Sequence, residues 1–189
     1  RVRDPVRATV LQIHRWHHHH VQQCRRHQAA QDHDGHRRLN LAACLAAAER
    51  AHTLAKQAKE PTAEANALRL QGVAHWRRGS YTEALRLLEQ SLKLYEELGE
   101  RSGVARVTGN IGNVYASLSE YGKSLEYFTR ALALHEELGE RSGVARVTGN
   151  IGLVYQRLSE YEKSLESYTR ALSLHEELGD RSGVAGVTG

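Results

Sequence analysis

Three observations predict an all-α protein, a solenoid of antiparallel helix pairs. A 40-residue unit recurs: 101–140 and 141–180 differ at 8 of 40 positions. Apolar residues inside the unit follow a helical period rather than a strand period. Each unit holds two such stripes separated by a short polar turn. Neither helix can bury its stripe alone, so neighbouring pairs must stack to share a core.

In unit 101–140 the first helix is expected from about Gly103 to Leu118, with Val104, Val107, Ile111, Val114 and Tyr115 on its stripe. The second is expected from about Tyr121 to Leu138, with Leu125, Phe128, Ala131, Leu132 and Leu134 inward. Ser119-Glu120 and Ser159-Glu160 supply the turns, and Ser159-x-x-Glu162 reads as a capping box for the helix that follows. Gly139 and Gly179 fall where a helix C-terminus needs a left-handed residue. Unit 61–100 is diverged but keeps Gly72, Tyr81, Ala84, Leu85 and the run Leu94-Tyr-Glu-Glu-Leu-Gly-Glu. One period earlier, Leu45, Glu49, Leu54 and Glu60 align with Leu85, Glu89, Leu94 and Glu100. Residues 41–60, from Ala42 to Ala58, are therefore expected to be the second helix of a degenerate unit. Residues 181–189 repeat the start of a unit and read as truncated, so self-association through an open apolar end is expected. Residues 1–40, rich in His and Arg, are expected to be disordered.

Net charge is +4, and residues 1–40 alone hold eight Arg against three Asp. The remainder balances 18 basic against 19 acidic groups, so the repeats are no polycation and nucleic acid is disfavoured as a partner. No apolar run approaches the ~20 residues that span a bilayer. No secretory leader is evident. The two cysteines, Cys24 and Cys44, have no metal-ligand spacing, which argues for a reducing, cytoplasmic setting over a disulfide framework.

A period near 40 is shared by WD40 blades and HEAT units, so side chains must decide. Blades need short strands, which the helical stripes exclude. The first helix carries Ile111-Gly112-x-x-Tyr115 and Ile151-Gly152-x-x-Tyr155; the second carries Ser124, Phe128, Ala131 and Ser164, Tyr168, Ala171. This pattern resembles the tetratricopeptide repeat (TPR) signature, in which small residues let paired helices approach and aromatics fill the space between units. The usual period is about 34. The lengthened unit, with Glu136 and Glu176 where the family often has Pro, resembles the subgroup of LGN/Pins adaptors, kinesin light chains and bacterial TPR signalling proteins. The resemblance implies a right-handed superhelix and a protein-binding role rather than catalysis.

The family's first helices line a concave groove. Carried over, that places Arg106, Asn110, Asn113 and Ser117 inward in one unit, and Arg146, Asn150, Leu153 and Arg157 in the next. In the diverged unit the set is Asn66, Arg69, Leu70, Val73 and Arg77. Stretches 103–118 and 143–158 contain no Asp or Glu, whereas the second helices carry Glu126, Glu136, Glu137, Glu166, Glu176 and Glu177. Arg offers a planar donor fork for carboxylates, and Asn can both donate to and accept from an extended main chain. An adaptor or scaffold gripping an acidic peptide segment is expected; a regulatory segment of a larger bacterial signalling protein is the alternative.

The histidines His14, His17–His20, His27, His33 and His36 lack an ordered ligand spacing, so no metal or other cofactor is expected. His135 and His175 recur near the ends of second helices, where a partly protonated ring suits the helix dipole. There is no phosphate loop and no nucleophile elbow. Gly109-Asn-Ile-Gly112 is explained by close helix packing.

Overall fold

The computed structural model describes residues 34–180 and Gly183, with side chains described from residue 41 onward. These residues form seven helices and no strand: α1 Asp34–Gln57, α2 Pro61–Arg77, α3 Tyr81–Glu97, α4 Arg101–Ser117, α5 Tyr121–Glu137, α6 Arg141–Arg157 and α7 Tyr161–Glu177. None is long and apolar enough to cross a membrane.

From α2 onward every helix has 17 residues and a new one starts every 20, leaving three-residue connections. One residue in each connection adopts a left-handed conformation: Lys59, Gly79, Gly99, Ser119, Gly139, Ser159 and Gly179, with φ between 54° and 84°. Around Ser119, the Glu120 amide donates to the Tyr115 carbonyl and the Ser119 amide to the Ala116 carbonyl, both at 3.0 Å. This is a Schellman closure, and it recurs along the array. It corrects the capping-box reading of Ser159, which is the left-handed residue closing α6. The N-cap of α7 is Glu160, and it makes no side-chain cap hydrogen bond. A three-residue link has no spare position, so the serine that reads as a helix start serves the preceding helix end.

The chain divides into two compact units, 1–87 and 88–189, with the boundary inside α3. In the first unit α1 packs on α2, and Ala47, Ala48, Ala55, Ala65 and Leu68 are buried. The Gln71 side-chain amide donates to the Ala48 carbonyl at 3.1 Å across this contact. His52 and Lys56 reach Glu64 at 3.4 and 3.8 Å. α1 begins at Asp34, well before the expected Ala42, so residues 34–40 are helical rather than disordered. Asp34 suits a helix N-terminus, and the Leu- and Ala-rich run from Leu41 carries the helix onward. The preceding His- and Arg-rich stretch lies outside the described residues. Cys44 lies on α1, and Cys24 lies outside the described residues.

In the second unit α4 pairs with α5, α6 pairs with α7, and α6 also packs on α5. The shared core is Phe128, Ala131, Val147 and Val154, with Tyr121, Leu125, Leu132, Ile151 and Ala116 packed against it. Close pairing depends on Gly112, where a Cβ would lie 2.8 Å from the Phe128 ring. Beside it the Ser124 hydroxyl donates to the Gly112 carbonyl at 2.9 Å. Gly152, Tyr168 and Ser164 repeat this arrangement. Gly109, by contrast, has room for a methyl group, its nearest neighbours being 3.7 Å away. Arg130–Glu96 and Arg170–Glu136 link successive second helices, and Arg101–Glu137 and Arg141–Glu177 tie first helices to second ones. All are exposed, so each contributes at most about 1 kcal/mol.

Candidate functional site

α4 (RSGVARVTGNIGNVYAS) and α6 (RSGVARVTGNIGLVYQR) contain no acidic residue. Their inner stripes bury Val104, Val107, Ile111 and Val114 on α4, and Val144, Val147 and Val154 on α6. The helical period then places a polar row beside each stripe. Arg106, Arg146 and Arg157 are exposed, while Asn110, Asn113 and Asn150 are half-buried.

The structure brings part of this row together. The Asn150 side-chain amide donates to the Asn113 side-chain oxygen at 3.0 Å, bridging α4 and α6. The Asn110 side-chain nitrogen is buried and has no hydrogen-bond partner among the described residues. Arg106 spends one donor on the Ser102 carbonyl at 3.2 Å. Arg106 and Arg146 both act electrostatically on His135, so the two guanidinium groups share one neighbourhood. Arg157 sits in the last turn of α6, where its charge also bears on Tyr168 of α7. Ser117 hydrogen-bonds back to the Asn113 carbonyl at 3.0 Å, and Leu153 is 43 % exposed where α4 has Asn113. Arg69 and Arg77 belong to the first unit. There Arg69 forks onto Asn66 at 2.8 and 3.2 Å, and desolvation lowers the pKa of Arg77.

A second recurring feature lies where one repeat meets the next. The rings of Tyr95, His135 and His175 press on Gly103, Gly143 and Gly183, and a Cβ at any of these glycines would collide with the ring. His135 is 1 % exposed. Its Nδ1–H donates to Glu140 at 2.6 Å, and its Nε2 is buried without a partner. Burial lowers the His135 pKa despite the Glu140 hydrogen bond. This corrects the partly protonated, dipole-compensating role: the ring is a neutral wedge, because protonation would leave a buried N–H unsatisfied. Burial alone would raise the Glu140 carboxyl, but hydrogen bonds from Ser102 and His135 leave its pKa lowered. The signal was present in the sequence as a glycine always eight residues after the ring, Tyr95–Gly103, His135–Gly143 and His175–Gly183.

Among the described residues no group of His, Cys, Asp and Glu is placed to hold a metal ion. The histidines from His14 to His33, and the side chain of His36, lie outside those described.

A family model described as tetratricopeptide repeat matches residues 103–177, and a second of the same description matches residues 65–98. The chain belongs to the tetratricopeptide repeat family. As a TPR protein it is a protein-interaction module of paired helices. Among curated protein sequences none matches it. Solved structures resemble it in fold. Aspartyl phosphate phosphatase F from Bacillus subtilis superposes with a TM-score of 0.75 at 16% identity, covering 98% of this chain and 45% of that one. A Rap protein complexed with competence and sporulation factor gives 0.70 at 19% identity, covering 76% of this TPR chain and 40% of that one. BtubC (BKLC) from P. vanneervenii gives 0.58 at 17% identity, covering 98% and 89%. The chain thus spans less than half the length of the two Rap-type structures.

Proposed function

We propose that this TPR module holds an extended, acidic peptide segment along the polar rows of α4 and α6. The observation that carries the reading is an acid-free pair of adjacent first helices that carry Arg106 and Arg146 in one neighbourhood and a linked Asn113–Asn150 pair. The arginines supply charge-assisted hydrogen bonds to partner carboxylates. Arg157 extends the row, and Arg69 and Arg77 are the equivalent candidates in the first unit. The similar Rap proteins support a peptide ligand, because one was solved with competence and sporulation factor and another, a conjugation gene regulator of plasmid pLS20, with the Phr* peptide. The same likeness supports the second reading, a regulatory segment within a longer signalling protein.

The test uses a fluorescent peptide rich in Asp and Glu and its Lys-substituted counterpart. Only the acidic peptide is expected to bind, and raising salt from about 50 mM to about 500 mM is expected to weaken it strongly. Arg106→Glu combined with Arg146→Glu should abolish binding while the helical circular-dichroism signal is unchanged. Undiminished binding by that variant would overturn the reading.

A further inference from the structure

The His135 ring at the junction of α5 and α6 lies between the two arginines of the polar rows, and a chain of contacts joins all three. On one side Arg106 Nε donates to the Ser102 carbonyl at 3.2 Å, and the Ser102 side chain hydrogen-bonds Glu140. Glu140 in turn accepts from His135 Nδ1–H at 2.6 Å. On the other side the ring presses on Gly143, which stands one turn before Arg146 on α6. The Arg146 guanidinium crosses onto α4, 3.8 Å from where a Cβ of Gly109 would lie. His135 is 1 % exposed, so these charges act on it with little screening. The helices packed on α5 are α4 and α6, and neither carries a carboxylate. Their other cations are engaged elsewhere: Arg101 pairs with Glu137, Arg141 with Glu177, and Arg157 lies in the last turn of α6. Glu136, next to His135 in the chain, is tied to Arg170. The ring therefore answers to Glu140, Arg106 and Arg146.

We propose that capture of an acidic segment by α4 and α6 is coupled to protonation of His135, so that the site takes up a proton as it binds. The coupling rests on the reading of those two helices given above. The added proton goes to Nε2, which is buried and has no hydrogen-bond partner among the described residues. That burial opposes the charged ring with or without a ligand, so it cancels between the two states. The field of Arg106 and Arg146 does not cancel. Both guanidinium groups oppose the imidazolium in the free chain. Partner carboxylates set against them offset their charge, and the ring then holds a proton more readily. Linkage is reciprocal, so a protonated ring strengthens capture by the same factor. Affinity therefore rises as pH falls through the range in which His135 titrates, below its usual 6.5. Above about pH 7 the ring is neutral in both states and the coupling is silent.

The probe is the Asp- and Glu-rich peptide, titrated with the full chain at about pH 7.5 and about pH 5.5, where its carboxylates remain ionised. His135→Tyr, which copies Tyr95, is the control. It keeps every other histidine, including the cluster from His14 to His36, so any gain from those is common to both chains. Between the two pH values the wild-type chain is expected to gain at least about threefold more affinity than the variant. An unaltered circular-dichroism spectrum checks that the variant folds. NMR of isotope-labelled histidine rings reads the coupling in the wild-type chain itself, the signal missing from the variant being that of His135. Its titration midpoint should rise by at least about 0.5 when peptide saturates the chain, which is the same threefold. In the free chain, Arg106→Gln combined with Arg146→Gln should raise that midpoint without any peptide. Binding with an unmoved midpoint, or equal gains in wild type and variant, overturns the coupling and leaves the acidic-peptide reading standing. Absence of binding at both pH values overturns the two together.

Discussion

Repeats 101–140 and 141–180 are nearly the same sequence, yet their side chains experience different surroundings. Ile111 is buried and Ile151 only partly so; Phe128 is buried and its counterpart Tyr168 half-exposed. Several of the 8 differing positions follow that contrast. Phe128 becomes Tyr168, whose hydroxyl donates to Gln156 at 3.4 Å, and Gln156 itself replaces Ala116. Tyr127 becomes Ser167, Ala133 becomes Ser173 and Gly122 becomes Glu162, all changes toward polar side chains. The repeat fixes the backbone and the close approaches at Gly112 and Gly152. Neighbours decide how much each stripe is worth.

The largest expected difference between the repeats is therefore at the ring between paired helices. Phe128→Ala should destabilise by roughly 3–5 kcal/mol, as large aromatic truncations in cores do. Tyr168→Ala should cost only about 1–2 kcal/mol, because part of its surface is already in water. Chemical denaturation of both variants checks this, and equal losses would break the contrast. Next in size is Gly143→Ala, which forces the His135 ring to move and should cost about 1–3 kcal/mol. Gly109→Ala in the same assay should be neutral or stabilising, since the methyl meets only ordinary contacts and helix propensity rises by about 1 kcal/mol.

Acid should reveal the ring at the repeat junction. Burial lowers the His135 pKa below its usual 6.5, so the unfolded chain takes up protons first as pH falls. Its contribution is full above about 6.5 and is lost as pH falls from there toward the folded value. Glu140 is lowered from 4.5, so its contribution is present above that value and disappears in a second, lower window. His135→Tyr copies Tyr95 at the equivalent position and should flatten stability between about pH 7 and pH 5.5 while leaving the lower window. A curve unchanged in the upper window would show that His135 is not a buried neutral wedge. The smallest effect is expected at the left-handed serines. Ser119→Gly should stabilise by about 0.5–1 kcal/mol, because glycine occupies that conformation without steric cost.

The helix pairs were legible because a 40-residue identity and a 3.6-residue stripe both report the same packing. Gly112 and Ser124 could be read for the same reason, as small residues at one contact. Ser119 and Ser159 could not, because serine is common at helix starts and only backbone φ reveals that it ends the preceding helix. His135 was misread because sequence gives its distance from a helix terminus but not its burial against Gly143. The start of α1 was not legible because residues 34–41, with Gly35, His36 and Asn40, carry neither strong helix formers throughout nor the repeat's landmarks. For the polar rows, the absence of acids on α4 and α6 was visible in sequence. The Asn113–Asn150 link and the unpartnered Asn110 nitrogen required side-chain geometry.

The central claim is that ligand carboxylates meet the first helices and not the second. Side-chain amide signals of asparagine report this directly in a two-dimensional NMR titration with an acidic peptide. The account predicts that Asn110, Asn113 and Asn150 shift together at one affinity, with α5 and α7 backbone signals nearly still. Shifts confined to α5 and α7, with the three asparagines unmoved at saturation, would contradict it.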